Sequence, residues 1–309
     1  MKIYKINTLT DFNQKNLCLT VGNFDGIHKG HQHVIDQVIK NSAENNLQSA
    51  ILSFNPHPKN FFDKSLDQLN ILTKKKKLSL LNELGVSIYL DFVFDLNLSS
   101  LAAEDFVELI LIKKLDTKLI VIGADFRFGK ERSGDMNLLI DFSKKYNFKV
   151  KIIEPVKVNN SDEKYSSSKI RKQIENGLFE EVSFALGREW EISGKVIKGD
   201  QRAREINFPT ANIMPSDNIL PKKGVYCVNA LIDNKRYLGI SNFGERPTVE
   251  GKKLLLETHI FNFNDDIYGK ELTVEFLTFI RPEQKFDNFE KLTEQIKKDI
   301  VTAKSYHKI

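Results

Sequence analysis

A change of rhythm along the chain limits its possible folds more than any other feature. Up to about residue 155, apolar runs alternate with amphipathic stretches; beyond Gly187 the apolar runs follow one another with only turns between them. The early runs are "LCLTVG", "QSAILSF", "VSIYLDFVF", "KLIVIG" and "FKVKIIEP". Helical periodicity separates them over His31 to Asn45, Lys74 to Leu84, Leu101 to Leu115 and Met136 to Tyr146. Near-continuous apolar strands alternating with helices predict an α/β unit with a parallel, Rossmann-like sheet covered on both faces. Right-handed crossovers would then gather the loops after the strands along one edge, where ligands bind.

After "KIIEP" come two short helical stretches, "SSSKIRKQIENG" and "LFEEVSFALG", each stopped by a glycine, Gly177 and Gly187. From Trp190 the text is β: "EWEISGKVIKG", "GVYCVNALI", "KRYLGISNFG", "LLLETHIFNF" and "ELTVEFLTFI". "DNK" at Asp233 to Lys235 reads as a tight hairpin. Such a series closes into an antiparallel barrel or sandwich, and the amphipathic helix Asp287 to Ser305 is placed to cover it. A length of 309 residues suits two domains, drawn here as 1–187 and 188–309.

Composition narrows the function. The 46 basic and 41 acidic residues leave a net charge of +5, which suits anionic substrates without the concentrated basic face of a nucleic-acid binder. The N-terminus has no apolar signal core and no apolar run nears membrane-spanning length, so the cytoplasm is the expected location. Cys18 and Cys227 sit in separate apolar runs and read as buried thiols. "KKKK" at Lys74 to Lys77 reads as a solvated helix start, with a phosphate-facing patch as the alternative.

The chemistry concentrates in "VGNFDGIHKGHQHVIDQVIK", Val21 to Lys40, which holds three of the six histidines. A strand runs into a glycine-rich loop and then into a helix, so backbone N–H groups and the helix dipole favour an anion there. Gly22, Gly26 and Gly30 let the backbone turn and come close. His28 and His31 can donate to phosphate oxygens; alternatively, with Asp25, they could hold a metal. Ser166, Ser167 and Ser168 begin another helix with Arg171 one turn in, a second receptor for phosphates.

These residues carry a resemblance. "GNFDGIHKGHQ" is similar to the G-x-F-D-G-x-H-x-G-H pattern of the nucleotidyltransferase superfamily. "SFNPHP" at Ser53 to Pro58, "GADFRFGKERSGD" at Gly123 to Asp135 and "SSSKIR" resemble, in order, the adenylyltransferase module of the bacterial bifunctional riboflavin kinase/FAD synthetases. Ser168 stands where the family pattern usually has threonine. The resemblance implies transfer of an adenylyl group from ATP to FMN. On it, His28, His31, Ser166, Ser167, Ser168 and Arg171 meet the ATP phosphates, and Gly22, Phe24, Asp25 and Gly30 shape the nucleotide pocket. Asn55, Pro56, His57, Pro58, Asp125, Arg127 and Phe128 fall on the flavin side, although "DFRF" also reads as a turn with two core aromatics.

In the β half, "PTAN" at Pro209 to Asn212 places a hydroxyl and an amide close together, suited either to Mg²⁺ or to a turn. The order "GKVIKG", "PTAN", "GVY", "NFGERPT" and then a strand glutamate resembles the riboflavin kinase module, which implies a six-stranded antiparallel barrel. The resemblance makes Glu257 the general base, Thr210 and Asn212 the residues for Mg²⁺ and ATP, and Arg246 part of the flavin-side loop. One departure stands out: Ala203 and Asn207 replace two family glycines, which opens the alternative of an FAD synthetase with a degenerate kinase barrel. A non-catalytic barrel that binds RNA or regulates the first domain is the third reading, and "NFNDDIYGKE" interleaves too many acids for an RNA-binding face. The expected cofactor is Mg²⁺ with ATP as co-substrate. The expected partners are riboflavin, FMN and ATP, with no nucleic acid or membrane, in a monomer or weak self-associate.

Overall fold

The computed structural model describes residues 1–63, 70–158, 163–198, 208–215, 218–248 and 251–309. They form two compact units. The first joins the residues before 64 to Lys74–Ser167; the second joins residues 70–73 to Ser168–Ile309.

In the first unit β1 (Lys2–Ile6), β2 (Leu17–Val21), β3 (Gln48–Asn55), β4 (Ile88–Val93), β5 (Thr117–Gly123) and β6 (Lys149–Ile153) make one sheet, ordered β1-β4-β3-β2-β5-β6, with every pairing parallel. All five residues of β2 are buried, as a central strand covered on both faces requires. The helices are α1 (Lys29–Glu44), α2 (Pro58–Phe62), α3 (Lys74–Glu83), α4 (Leu96–Ser99), α5 (Ala103–Asp105) and α6 (Met136–Tyr146). Their ends are chemically marked. The Asp135 carboxylate accepts the Asn137 and Leu138 N–H groups at the start of α6, and Asn147 closes it at φ +54°.

Several elements differ from the sequence reading, which had no helix at α2 or α4. Edge strand β1 was not anticipated: "KIYKI" is short, lysine-laced and paired on one side only, to β4, so it lacks the unbroken apolar run of its neighbours. The stretch expected as one helix over Leu101 to Leu115 is α5 followed by a π-helical segment, Phe106–Lys114. The Leu115 N–H reaches back five residues to the Ile110 carbonyl, and the widened turns bury Phe106, Val107, Ile110 and Leu111 together.

The second unit starts with α7 (Ser167–Asn176, its first residue counted with the first unit) and α8 (Phe179–Leu186). Strands β7 (Trp190–Lys195), β8 (Ala211–Ile213), β9 (Gly224–Ile232), β10 (Lys235–Thr248), β11 (Gly251–Ile260) and β12 (Glu271–Pro282) follow, then α9 (Phe289–His307). The sheet is antiparallel throughout, in the order β7-β12-β9-β10-β11-β8. Just past β7, the Ile197 N–H donates to the Asn212 carbonyl of β8 at 2.8 Å, so the two ends of that order meet and the sheet curls into a barrel. The anticipated hairpin joins β9 to β10 through Asp233 and Asn234 at φ +49° and +63°, the twist a two-residue turn needs.

Phe179, Trp190, Tyr226 and Phe276 form a buried aromatic knot with ring centroids 5.0–5.5 Å apart. The Trp190 indole N–H donates to the Ile71 carbonyl at 2.8 Å, and the Ile219 N–H donates to the Asn70 carbonyl at 2.8 Å, which seats residues 70–73 in this unit. Helix α9 is fastened by Arg281 of β12, whose Nε and Nη2 donate to buried Asp299 at 2.9 and 2.7 Å. Cys18 and Cys227 are both buried and unpaired, and burial pushes each thiol up to about 12.

Candidate active sites

From β2 the parallel sheet grows one way through β3 and β4 and the other way through β5 and β6. The loops at the carboxyl ends of β2 and β5 therefore flank the point where the order reverses, the usual ligand crevice of such sheets.

The first of these loops runs from Gly22 into α1. It turns sharply, with positive φ at Phe24 (+48°), Gly26 (+86°) and Ile27 (+42°). Two of the three are not glycine, so surrounding contacts must hold the conformation. Side chains grip its carbonyls: Ser167 Oγ donates to Asp25 O at 2.9 Å and Gln32 Nε2 to Ile27 O at 2.8 Å. Lys77 Nζ donates to Asn23 O at 2.9 Å.

His28 is the N-cap of α1, and its Nδ1 accepts the His31 N–H at 3.2 Å. In the neutral ring that acceptor role puts the proton on Nε2. The His28 and His31 rings stack with centroids 3.6 Å apart, Phe24 meets His31 edge-on, and Tyr165 lies parallel to His28 at 6.3 Å. A Cβ on Gly30 would lie 3.2 Å from His28 Nδ1 and 3.4 Å from Tyr165 Cβ, so Gly30 makes room for the stack. The structure thus brings Gly22, Phe24, Asp25, His28, Gly30, His31 and Ser167 together around one helix N-terminus. Ser166 precedes α7; Ser168 and Arg171 lie on α7 within the second unit, Arg171 buried. Among the described residues no group of three or more His, Cys, Asp or Glu side chains is arranged to hold a metal.

The flavin-side candidates divide. Asn55 ends β3, next to β2 in the sheet, and a cis bond joins it to Pro56. His57 caps α2, accepting the Lys59 N–H at 3.1 Å, and Pro58 is the first residue of that helix. In the loop after β5, a hydrogen bond from Lys164 holds Asp125 below the usual carboxylate range. Arg127 is exposed, 3.9 Å from Asp135, whereas Phe128 is buried against Phe106 and Phe126. Sequence reasoning missed the edge-to-face cluster of Phe54, Phe61, Phe62 and Phe94, in which Phe62 is 71% exposed. Scattered aromatics gave no local signal.

The second site lies where β8, β11 and β10 run side by side. Register sets Glu257 opposite Asn212 on one neighbour and Asn242 on the other. Glu257 Oε2 accepts Arg246 Nε at 2.9 Å and also Nη2, while Arg246 Nη1 lies 3.8 Å from Glu283. The Asn212 side-chain carbonyl is buried with no hydrogen-bond partner. His259 donates from Nδ1 to the Pro209 carbonyl at 2.9 Å, fixing the chain just ahead of Thr210, and burial pushes its pKa down. An orphaned amide oxygen two residues after a threonine is a fitting pair of donors for a hard cation. Ala203 and Asn207 lie outside the described residues.

Comparison with known proteins gives two family matches, FAD synthetase over residues 11–169 and riboflavin kinase over residues 186–307. A bifunctional riboflavin kinase/FMN adenylyltransferase of Buchnera aphidicola is 38% identical, with 99% of both chains covered. The protein of that name from Escherichia coli K12 is 33% identical over 99% of this chain and 98% of its own. A solved Streptococcus pneumoniae structure, named a macrolide-efflux protein, superposes with TM-score 0.85 at 31% identity, covering 98% of each chain. Among the described residues, no helix is long and apolar enough to cross a membrane.

Proposed function

The chain belongs to the family of bifunctional riboflavin kinase/FMN adenylyltransferases, and from that membership we infer how its residues divide the work. It phosphorylates riboflavin to FMN, then transfers an adenylyl group from ATP to FMN to give FAD and pyrophosphate. We assign adenylyl transfer to residues 1–187 and phosphorylation to 188–309; a riboflavin kinase match starting at residue 186 supports that division. By contacts alone α8 sides with the barrel, because Phe179 packs on Trp190 and Phe276.

The observation that carries the first assignment is the stacked pair His28 and His31 at the N-terminus of α1. In the adenylyl step an FMN phosphate oxygen attacks the α-phosphorus of ATP, the bond to the bridging oxygen breaks, and pyrophosphate leaves. No covalent enzyme intermediate is needed. His28, His31 and Arg171 meet the developing charge, Ser166, Ser167 and Ser168 bind phosphate oxygens, and Gly22, Phe24, Asp25 and Gly30 shape the nucleotide pocket. Asn55, Pro56, His57, Pro58, Asp125 and Arg127 line the flavin side, and buried Phe128 supports that loop from beneath.

In the kinase step Glu257 takes the proton of the riboflavin 5′-hydroxyl as that oxygen attacks the γ-phosphorus of ATP, the bond to the β–γ bridging oxygen breaks, and ADP leaves. Arg246 holds the Glu257 carboxylate, so it also aims it. Thr210 and Asn212 would hold Mg²⁺, which when bound neutralises phosphate charge. Cytoplasmic ATP suits both sites, with riboflavin as acceptor at the kinase site and FMN at the adenylyl-transfer site.

Incubation with riboflavin, ATP and Mg²⁺, followed by separation of the flavins, tests the division. His31→Ala is expected to abolish FAD and leave FMN. Glu257→Gln should slow FMN formation about 10²–10⁴-fold, the usual worth of a general base, yet make FAD from supplied FMN. Folded variants that each lose both products would refute two separate sites.

A further inference from the structure

Lys77 closes the lysine run that opens α3, and it reaches the adenylyl-transfer loop from 54 residues away. Its ammonium donates to Asn23 O at 2.9 Å and to Ser53 Oγ at 3.2 Å, joining the loop after β2 to β3. Asn23 is held a second time, through Oδ1, by the Phe54 N–H at 3.3 Å. The other groups facing the ammonium are Asp25 from the loop, Asp91 and the Tyr89 ring from β4, and Lys74, which binds Asp91 at 2.5 Å. Burial pushes the ammonium below the ordinary lysine range, and both aspartates oppose that fall.

Three carbonyls of this loop, on Asn23, Asp25 and Ile27, are gripped by Lys77, Ser167 and Gln32. A trans peptide points its N–H opposite to its carbonyl. Each grip therefore sets the direction of the following N–H, on Phe24, Gly26 and His28 in turn. Of the three gripping side chains only Lys77 carries charge.

Resting on the reading of this loop as the phosphate site, we propose that Lys77 is a positioning residue for adenylyl transfer. It orients the Asn23–Phe24 peptide and supplies positive charge beneath the α-phosphate. It touches no reacting atom, so removing it should misalign the transfer more than it weakens ATP binding.

Lys77→Met keeps the side-chain length without charge or donor. The expected result is a kcat for FAD formation lower by about 100-fold, the scale of a small misplacement, with the KM for ATP changed less than about 3-fold. FMN formation by the same molecule should be unaffected. In the wild type the FAD-forming kcat should fall as pH rises through the depressed lysine pKa, and that limb should vanish in Lys77→Met. A kcat within about 3-fold of wild type, or the same alkaline limb in both proteins, would overturn the proposal. Should Lys77→Met also lose FMN formation through misfolding, Ser53→Ala removes one acceptor and keeps the charge. It should lower the FAD-forming kcat about 5-fold, and an unchanged value would count against Lys77. His31→Ala run alongside separates the premises: if it leaves FAD synthesis intact the loop is not the site, and if it abolishes FAD while Lys77→Met does not, the fault lies with Lys77 alone.

Discussion

Gly30 shows how one missing side chain organises a site. The loop needs it so that His28 can lie flat on His31 with its Nδ1 on the helix N–H. Gly30→Ala would press a methyl against that nitrogen from 3.2 Å, so the stacked His28 ring would have to give by a few tenths of an ångström, and would touch Tyr165 Cβ at 3.4 Å. FAD formation should fall at least about 10-fold, on the scale of a small misplacement, while FMN formation holds; a steady-state assay of each product checks it. The placing of His28, Gly30 and His31 at a helix start was legible in the sequence, because they are neighbours; the ring stack that Gly30 admits was not. Nor was Lys77. It sits among four identical residues, and only the fold decides which lysine turns toward a loop 54 positions earlier. The same holds for Arg246 and Glu257, 11 positions apart, whose pairing comes from antiparallel register and not from spacing.

Elements with a strong local signal matched their expected boundaries: α6 between its Asp135 cap and Asn147, and the β9–β10 hairpin through two residues at positive φ. Those whose identity depends on a neighbour did not. The edge position of β1 and the widened turns of Phe106–Lys114 answer to the surrounding core, which no window of the sequence contains. Helix α9 lies between these cases. Its amphipathic pattern was clear, but its anchorage is the Arg281–Asp299 pair, with Gln295 adding a donor to Asp299 at 2.8 Å. Asp299→Ala would strand the Arg281 guanidinium, which is 15% exposed, and should cost about 3 kcal/mol, the low end for breaking a buried pair. Denaturant unfolding would register it, and Arg281→Met with Asp299→Leu should recover much of the loss.

For the whole molecule, the switch from alternating to purely β rhythm revealed two architectures, and ordered motifs gave each a chemistry. What the rhythm could not reveal is that residues 70–73 are counted with the barrel although they precede α3 of the first unit. Trp190 spends its indole proton on the Ile71 carbonyl, and Ile71 is fully buried. Trp190→Phe in the intact chain removes the shorter of that carbonyl's two hydrogen bonds, leaving Asn218 Nδ2 at 3.4 Å, and should lower stability by about 1 kcal/mol, measurable by calorimetry. The excursion also bears on how such a gene can be divided. A cut at any one point after Thr73 yields a C-terminal product lacking a piece of its own interior, and an N-terminal product carrying a stranger's. Splitting the two activities between separate genes would thus require either duplicating this short segment or replacing it, so packing as well as shared metabolism ties them to one chain.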